Sequence, residues 1–379
     1  MKIGEIAVKV NYRQISILVF MSFISLKLLA LPSLLFLDSK NMSWLVCLVL
    51  MLLDGAYVFL LLDLIKKSGN RNIIEFMKDC LGPVLSRIFL ACFIVKYALV
   101  IANISKGLEF FVVENFYAEF NWFVFVIPLT MLVGFMAYKG VRNIARVSEL
   151  VCWAIVIGCL YIAFKSFSGV DMLSFLPMFE DGVKPLAYSA YHHLSWFGSA
   201  SFLFMLFGKV DFRQEKKITI IKYIFFAIAL VQLLMFVFYG LFNITSASHN
   251  FCISDISQYY NNMSSISELS WLVVSLWVVA QAVQLALYTF CMMEAIKFLF
   301  NIKNDYFPTV IVMVYIVLLS YIGEQTIGLE RIFFSHVASI TTIVVQYILP
   351  IILWLGYKIK NIKKKNIKVA DNEKVKVNI

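Results

Sequence analysis

Apolar residues in this chain run in stretches of about 20 with few charges, the length a helix needs to cross a hydrocarbon core of about 30 Å. Stretches such as 44–62 and 340–355 do not alternate between apolar and polar positions, as the strands of a membrane barrel would. Helices are expected, because a backbone in lipid must satisfy its own hydrogen bonds. The pattern predicts ten spans, over 15–37, 44–65, 87–113, 121–139, 147–165, 186–208, 218–242, 268–300, 307–323 and 333–357. The third and eighth exceed what a bilayer needs, which predicts tilt or extension beyond it.

Composition agrees with this reading. Of 379 residues, 61% are hydrophobic and 15% charged, against roughly 25% charged in soluble chains. The net charge of +10 could suggest nucleic acid, but the basic residues sit in short loops between spans, so no nucleic-acid partner is expected. Those loops also orient the chain. With the N-terminus inside, the inner segments hold 26 of the 33 Lys and Arg, as positive charge retained in the cytoplasm requires. Both ends are then cytoplasmic, and the basic tail 358–379 can attract anionic lipid. The first span is too long for a cleavable leader. The seven cysteines have neither metal-site nor disulfide spacing.

Two spans carry interruptions. In the first, Pro32 removes a backbone donor and disfavours helix just before it, and Lys27 brings a charge into the same stretch. In the sixth, Gly198 lies between Ser195-Trp-Phe and Ser199. Either feature could be a simple kink or a close packing point. As a pair they suggest two broken helices at corresponding positions of two five-helix halves, the arrangement that builds a central site in inverted-repeat transporters. The repeats would cover about 15–165 and 186–357 of one transmembrane domain, 1–357. Lys27, Asp54, Lys96, Lys106, Glu149 and Glu294 are candidate intramembrane charges. Asp54 could pair with Lys27 or Lys96, Glu149 with Arg146, and Glu294 with Lys297. Lys96, Asn103 and Lys106 share a broad face of span three. Gln284 and Tyr288 share a face of span eight, either as contacts between helices or as ligand contacts.

An enzyme is not expected. His192-His193 is the one catalytic temptation, but adjacent residues on a helix point about 100° apart, a poor arrangement for holding one metal ion. No nucleotide-binding loop, H-E-x-x-H or G-x-S-x-G motif occurs. Neither a cofactor nor a metal is expected.

Several segments, in order, resemble the spore germination permease family, the B subunits of germinant receptors within the amino acid–polyamine–organocation superfamily. Tyr12-Arg-Gln-Ile through Leu31-Pro32 is similar to that family's first helix. Trp44, Ile74-Glu-Phe with Leu81-Gly82, Leu176-Pro177 and Tyr347-Ile-Leu-Pro350 follow at the expected places. The stretch Tyr138 to Glu149 resembles its Gly-x-x-x-x-x-Arg-x-x-Glu linker. The chain departs from the family where Ser199, not Glu, follows Phe197-Gly198, and where only Glu268 stands for an Arg-x-acid at the start of span eight. The resemblance implies an all-α membrane protein of ten helices in two inverted repeats. It also implies a small germinant, often an amino acid, bound between spans one, three, six and eight. Its partners would be an A-type membrane subunit and a C-type lipoprotein in the inner spore membrane. The residues expected at the ligand are Leu28, Ala30, Leu31, Asn103, Trp196, Phe197, Gly198, Ser199, Gln284 and Tyr288. An ion-coupled amino acid permease of the same fold is the alternative.

Overall fold

The computed structural model describes residues 9–69, 71–116, 122–180, 182–211, 217–259, 267–325 and 329–360. The tail beyond 360, including most of the predicted basic anchor, lies outside them. The described chain is helical, with one two-residue ladder. Its helices are α1 (Tyr12–Ser25), α2 (Leu31–Ser39), α3 (Ser43–Ser68), α4 (Ile73–Leu81), α5 (Pro83–Phe116), α6 (Trp122–Tyr138), α7 (Val141–Ser166), α8 (Lys184–His192), α9 (Lys217–Phe242), α10 (Cys252–Tyr259), α11 (Ser267–Phe300), α12 (Tyr306–Gln325) and α13 (Leu329–Thr342). A π-helical turn, Ile343–Ile348, follows α13, and helical backbone continues to 360.

Among the described residues, six helical stretches are long and apolar enough to cross a membrane: Leu31–Ser68, Pro83–Asn115, Val141–Gly169, Lys217–Ser248, Trp271–Phe300 and His336–Lys360. Three shorter apolar helices cover Tyr12–Ser25, Phe123–Tyr138 and Tyr306–Ile322. Their surfaces fit lipid. On α7, Leu150, Trp153, Ile157, Leu160 and Phe164 form an exposed stripe at helical spacing, while Ile144, Ser148, Cys152, Ile155 and Cys159 are buried on the other side. In water such a stripe would be an unprotected apolar patch; in hydrocarbon it is the solvated face.

The two interrupted segments have local causes. Segment one leaves the helix at Leu26–Ala30 and restarts at α2, with Pro32 in the new first turn, where its missing N–H costs nothing. Segment six consists of α8, a 3₁₀ turn Leu194–Trp196, a break at Phe197–Gly198, and a 3₁₀ stretch Ser199–Leu206. Gly198 has φ +98°, a left-handed conformation that glycine alone adopts without penalty. Segment six therefore differs from the continuous α-helix that its hydropathy alone suggests.

These segments meet at three levels. At one end β1 (Val10–Asn11) pairs in parallel with β2 (Val210–Asp211), in register Val10 with Val210, and the Val10 N–H donates to the Lys209 carbonyl at 2.8 Å. At the opposite end Asp38 of α2 meets His192 and His193. Between them the two breaks face one another.

Candidate functional site

The hub between the breaks is Asp54 of α3, which is fully buried. The Gly198 N–H donates to both of its carboxylate oxygens, at 2.9 and 3.0 Å. Gln346 Nε2, from the π-turn, donates to Oδ1 at 2.5 Å. Lys27 Nζ lies 3.5 Å from Oδ2 and donates to Ser199 Oγ at 2.9 Å. Lys27 is itself fully buried, with its ammonium 4.9 Å from the Phe23 ring centroid and 5.1 Å from that of Phe197. A carboxylate at this depth is tolerable only with such a set of donors. Of the two partners the sequence left open for Asp54, the structure selects Lys27.

Lys96 of α5 is also buried, and its ammonium donates to Thr342 Oγ1 at 2.8 Å. Among the described residues it forms no ion pair. A Cβ on Gly198 would lie 2.9 Å from this ammonium and 1.8 Å from Gln346 Oε1. The left-handed glycine thus lets two polar side chains close against the break. Among the described residues, Gln346 Oε1 and the buried Gln284 Nε2 find no hydrogen-bond partner of good geometry.

Part of the backbone exposed by the breaks is already engaged. Gln281 Nε2 donates to the Ser25 carbonyl at 2.5 Å, and the Cys252 N–H to the Leu29 carbonyl at 3.2 Å. The Tyr288 hydroxyl donates to the Ser199 carbonyl at 2.6 Å, and the Tyr97 hydroxyl to the Ser201 carbonyl at 2.9 Å. Those four acceptors are not free for a ligand as the structure stands.

Of the residues expected at a ligand, Phe197, Gly198, Ser199 and Tyr288 gather around Asp54. Gln284 lies one turn from Tyr288 on α11. Leu28 and Leu31 are buried in segment one, and Ala30 and Trp196 are half-buried beside the breaks. Asn103 is half-buried on α5, about 10 Å along the helix from Lys96 by helical rise. Among the described residues, no hydrogen bond joins it to the cluster. Gln346 and Thr342 were not anticipated, since the last span reads as one apolar run. The polar Gln346 inside that run was the available signal, and its π-turn is a feature common at functional sites.

The peripheral charges resolve as follows. Glu149 pairs with Arg13 at 3.6 Å, not with Arg146. Glu294 takes both Lys209, at 2.6 Å, and the expected Lys297, at 3.3 Å. Lys106 bonds Glu109 Oε2 at 3.0 Å and the Ser320 carbonyl at 2.9 Å. The expectation that His192 and His193 diverge is corrected. Helix α8 ends at His192, and His193 is its C-cap, its N–H still donating to the Ser189 carbonyl; both rings nevertheless reach Asp38 Oδ2.

Lipid-facing apolar helices around a buried polar centre at two helix breaks define a multi-pass membrane protein of transporter-like fold. The fold is similar to that of the Eremococcus coleocola manganese transporter in complex with an aromatic bis-isothiourea substituted compound. The TM-score is 0.55 at 12% identity, over 88% of this chain and 76% of that one. A mutant of that transporter matches at TM-score 0.51 and 14% identity, over 91% and 76%. Residues 9–327 match the family model described as spore germination protein, and the chain belongs to that family. A 153-residue stretch is 26% identical to spore germination protein KB of Bacillus subtilis (strain 168), spanning 39% of this chain and 41% of that protein.

Proposed function

We propose that this chain is the integral membrane subunit of a spore germinant receptor, which binds a small nutrient between its two breaks and triggers germination. The observation that carries this reading is Lys96: a buried ammonium at membrane depth, beside the Gly198 break, hydrogen-bonded to a hydroxyl and, among the described residues, with no carboxylate at ion-pair distance. An anionic group, such as the carboxylate of an amino acid, supplies the missing countercharge. Entry of that group displaces Gln346 from Asp54, and Phe197 and Trp196 pack its apolar part. Binding then shifts the balance between two conformations only as far as its affinity for them differs.

Ten spans in two inverted repeats, with both ends cytoplasmic, complete this picture. The companions are an A-type membrane subunit and a C-type lipoprotein, in the inner membrane of the spore. The alternative is an ion-coupled amino acid permease, for which a free carboxylate at the breaks would be one means of carrying the ion. Asp54 already has Lys27 there, which favours the receptor. Substrate accumulation by proteoliposomes containing this chain alone is the result that would favour the permease.

Lys96→Met is expected to raise the germinant concentration for half-maximal response at least tenfold, a loss of about 1.4 kcal/mol, with the protein still at normal level in the membrane. The measurement is a dose–response series on spores of a deletion strain complemented with each variant. An unchanged curve removes Lys96 from the site. A topology reporter fused after Lys358 should read cytoplasmic; an external reading refutes the ten-span count.

A further inference from the structure

We propose that Asp38, His192 and His193 form a binding site for one divalent transition-metal ion, of the zinc class, bridging the half-helices α2 and α8 away from the central cluster. Asp38 is the penultimate residue of α2, and the histidines are the last residue and the C-cap of α8. One carboxylate oxygen, Asp38 Oδ2, lies 2.7 Å from His192 Nδ1 and 2.9 Å from His193 Nε2. The three donor atoms all lie within 4.8 Å of one another.

Two imidazoles and one carboxylate are a common donor set for zinc and its neighbours, in which three protein ligands leave a position for water or a further ligand. Bonds of about 2.0–2.1 Å in tetrahedral geometry place donor atoms about 3.3 Å apart. The two carboxylate–imidazole spacings therefore need to open by roughly half an ångström, and the two imidazole nitrogens, within 4.8 Å of each other, need to draw together to admit an ion between the same three atoms. The two histidines are consecutive, so the change falls on side-chain torsions and not on helix packing.

The surroundings supply what a metal site needs besides its ligands. His193 is buried, and the Leu34 carbonyl lies within hydrogen-bonding reach of its ring. A second bond of this kind orients a ligand imidazole. His192 is a third exposed, and Asp38 also lines a small cavity of about 60 Å³ shared with Lys40 and Glu180, so an ion has a way in. Glu180 adds negative charge at that mouth, opposed by Lys40.

The consequence follows from position. The trio ties together the half-helices that follow break one and precede break six. A bound ion replaces hydrogen bonds with coordination and strengthens the closed arrangement of this end, so occupancy opposes any separation of α2 from α8.

Purified full-length protein in detergent, freed of metal, should bind one Zn²⁺ per chain in competition with a chromophoric chelator. Asp38→Asn and His192→Gln should each weaken binding at least tenfold while eluting as the wild type does in size exclusion. In the wild-type protein, Zn²⁺ should also protect His192 and His193 from diethylpyrocarbonate, read by mass spectrometry; this arm does not depend on any variant folding. Absence of saturable binding, binding untouched by both substitutions, or no protection of the two histidines each overturns the proposal and leaves the trio as plain hydrogen bonds.

Discussion

Gly198→Ala should destabilise this protein by roughly 2–4 kcal/mol, although it adds a single methyl group. The left-handed backbone at φ +98° costs any residue with a Cβ about 1–2 kcal/mol. The new atom also falls 1.8 Å from Gln346 Oε1, so the Gln346 side chain must leave. Its departure removes one of the donors that hold the buried Asp54 carboxylate, a loss of about 1–3 kcal/mol. The measurement is thermal or denaturant unfolding in detergent. The control is Gln346→Ala, which vacates the space. Combined with Gly198→Ala it should cost less than the two single losses added together, because both act on one contact. A melting temperature for Gly198→Ala equal to that of the wild type would remove the close approach on which the site rests. Gly198→Leu should show the larger effect of the same sign, together with loss of the germination response.

The second large effect is expected at the Lys27–Asp54 pair. Both groups are fully buried, their charged atoms 3.5 Å apart. Removing one partner leaves an uncompensated charge in a low-dielectric interior, which costs about 3–5 kcal/mol. Lys27→Met and Asp54→Asn should each fall in that range. The double variant should recover much of the loss, since a pair of neutral groups carries no such penalty. Asp54→Asn is the harsher single change: it keeps Lys27 charged with Ser199 Oγ and two aromatic faces as its remaining neighbours, and it weakens the acceptor for the Gly198 N–H. Additive losses across the cycle would mean that the two side chains do not act as a pair.

The first interruption was legible because its cause is local. Pro32 lacks an N–H wherever it stands, and Lys27 cannot face lipid cheaply, so a break between them follows from chemistry within a few residues of chain. Gly198 was legible for a similar reason. What it permits was not, because Gln346 approaches from a segment 148 positions later. The final span reads as continuous α-helix, and no local signal marks its π-turn at Ile343–Ile348. The histidine pair shows the opposite failure. The rule that adjacent helical residues diverge is sound for the backbone, but two imidazoles are long enough to converge on one acceptor, here Asp38.

The sequence by itself determined the solvent: apolar runs of bilayer length are a property of the chain that no packing can reverse. It determined that segments one and six are weak as helices, and that several charges must find partners. Which partners they find was decided only by the tertiary structure. Lys27 rather than Lys96 reached Asp54, and Lys96 was left with Thr342, because pairing in a low-dielectric interior depends on ångström-scale distance between helices far apart in sequence. A single chain of residues contains the charges but not those distances.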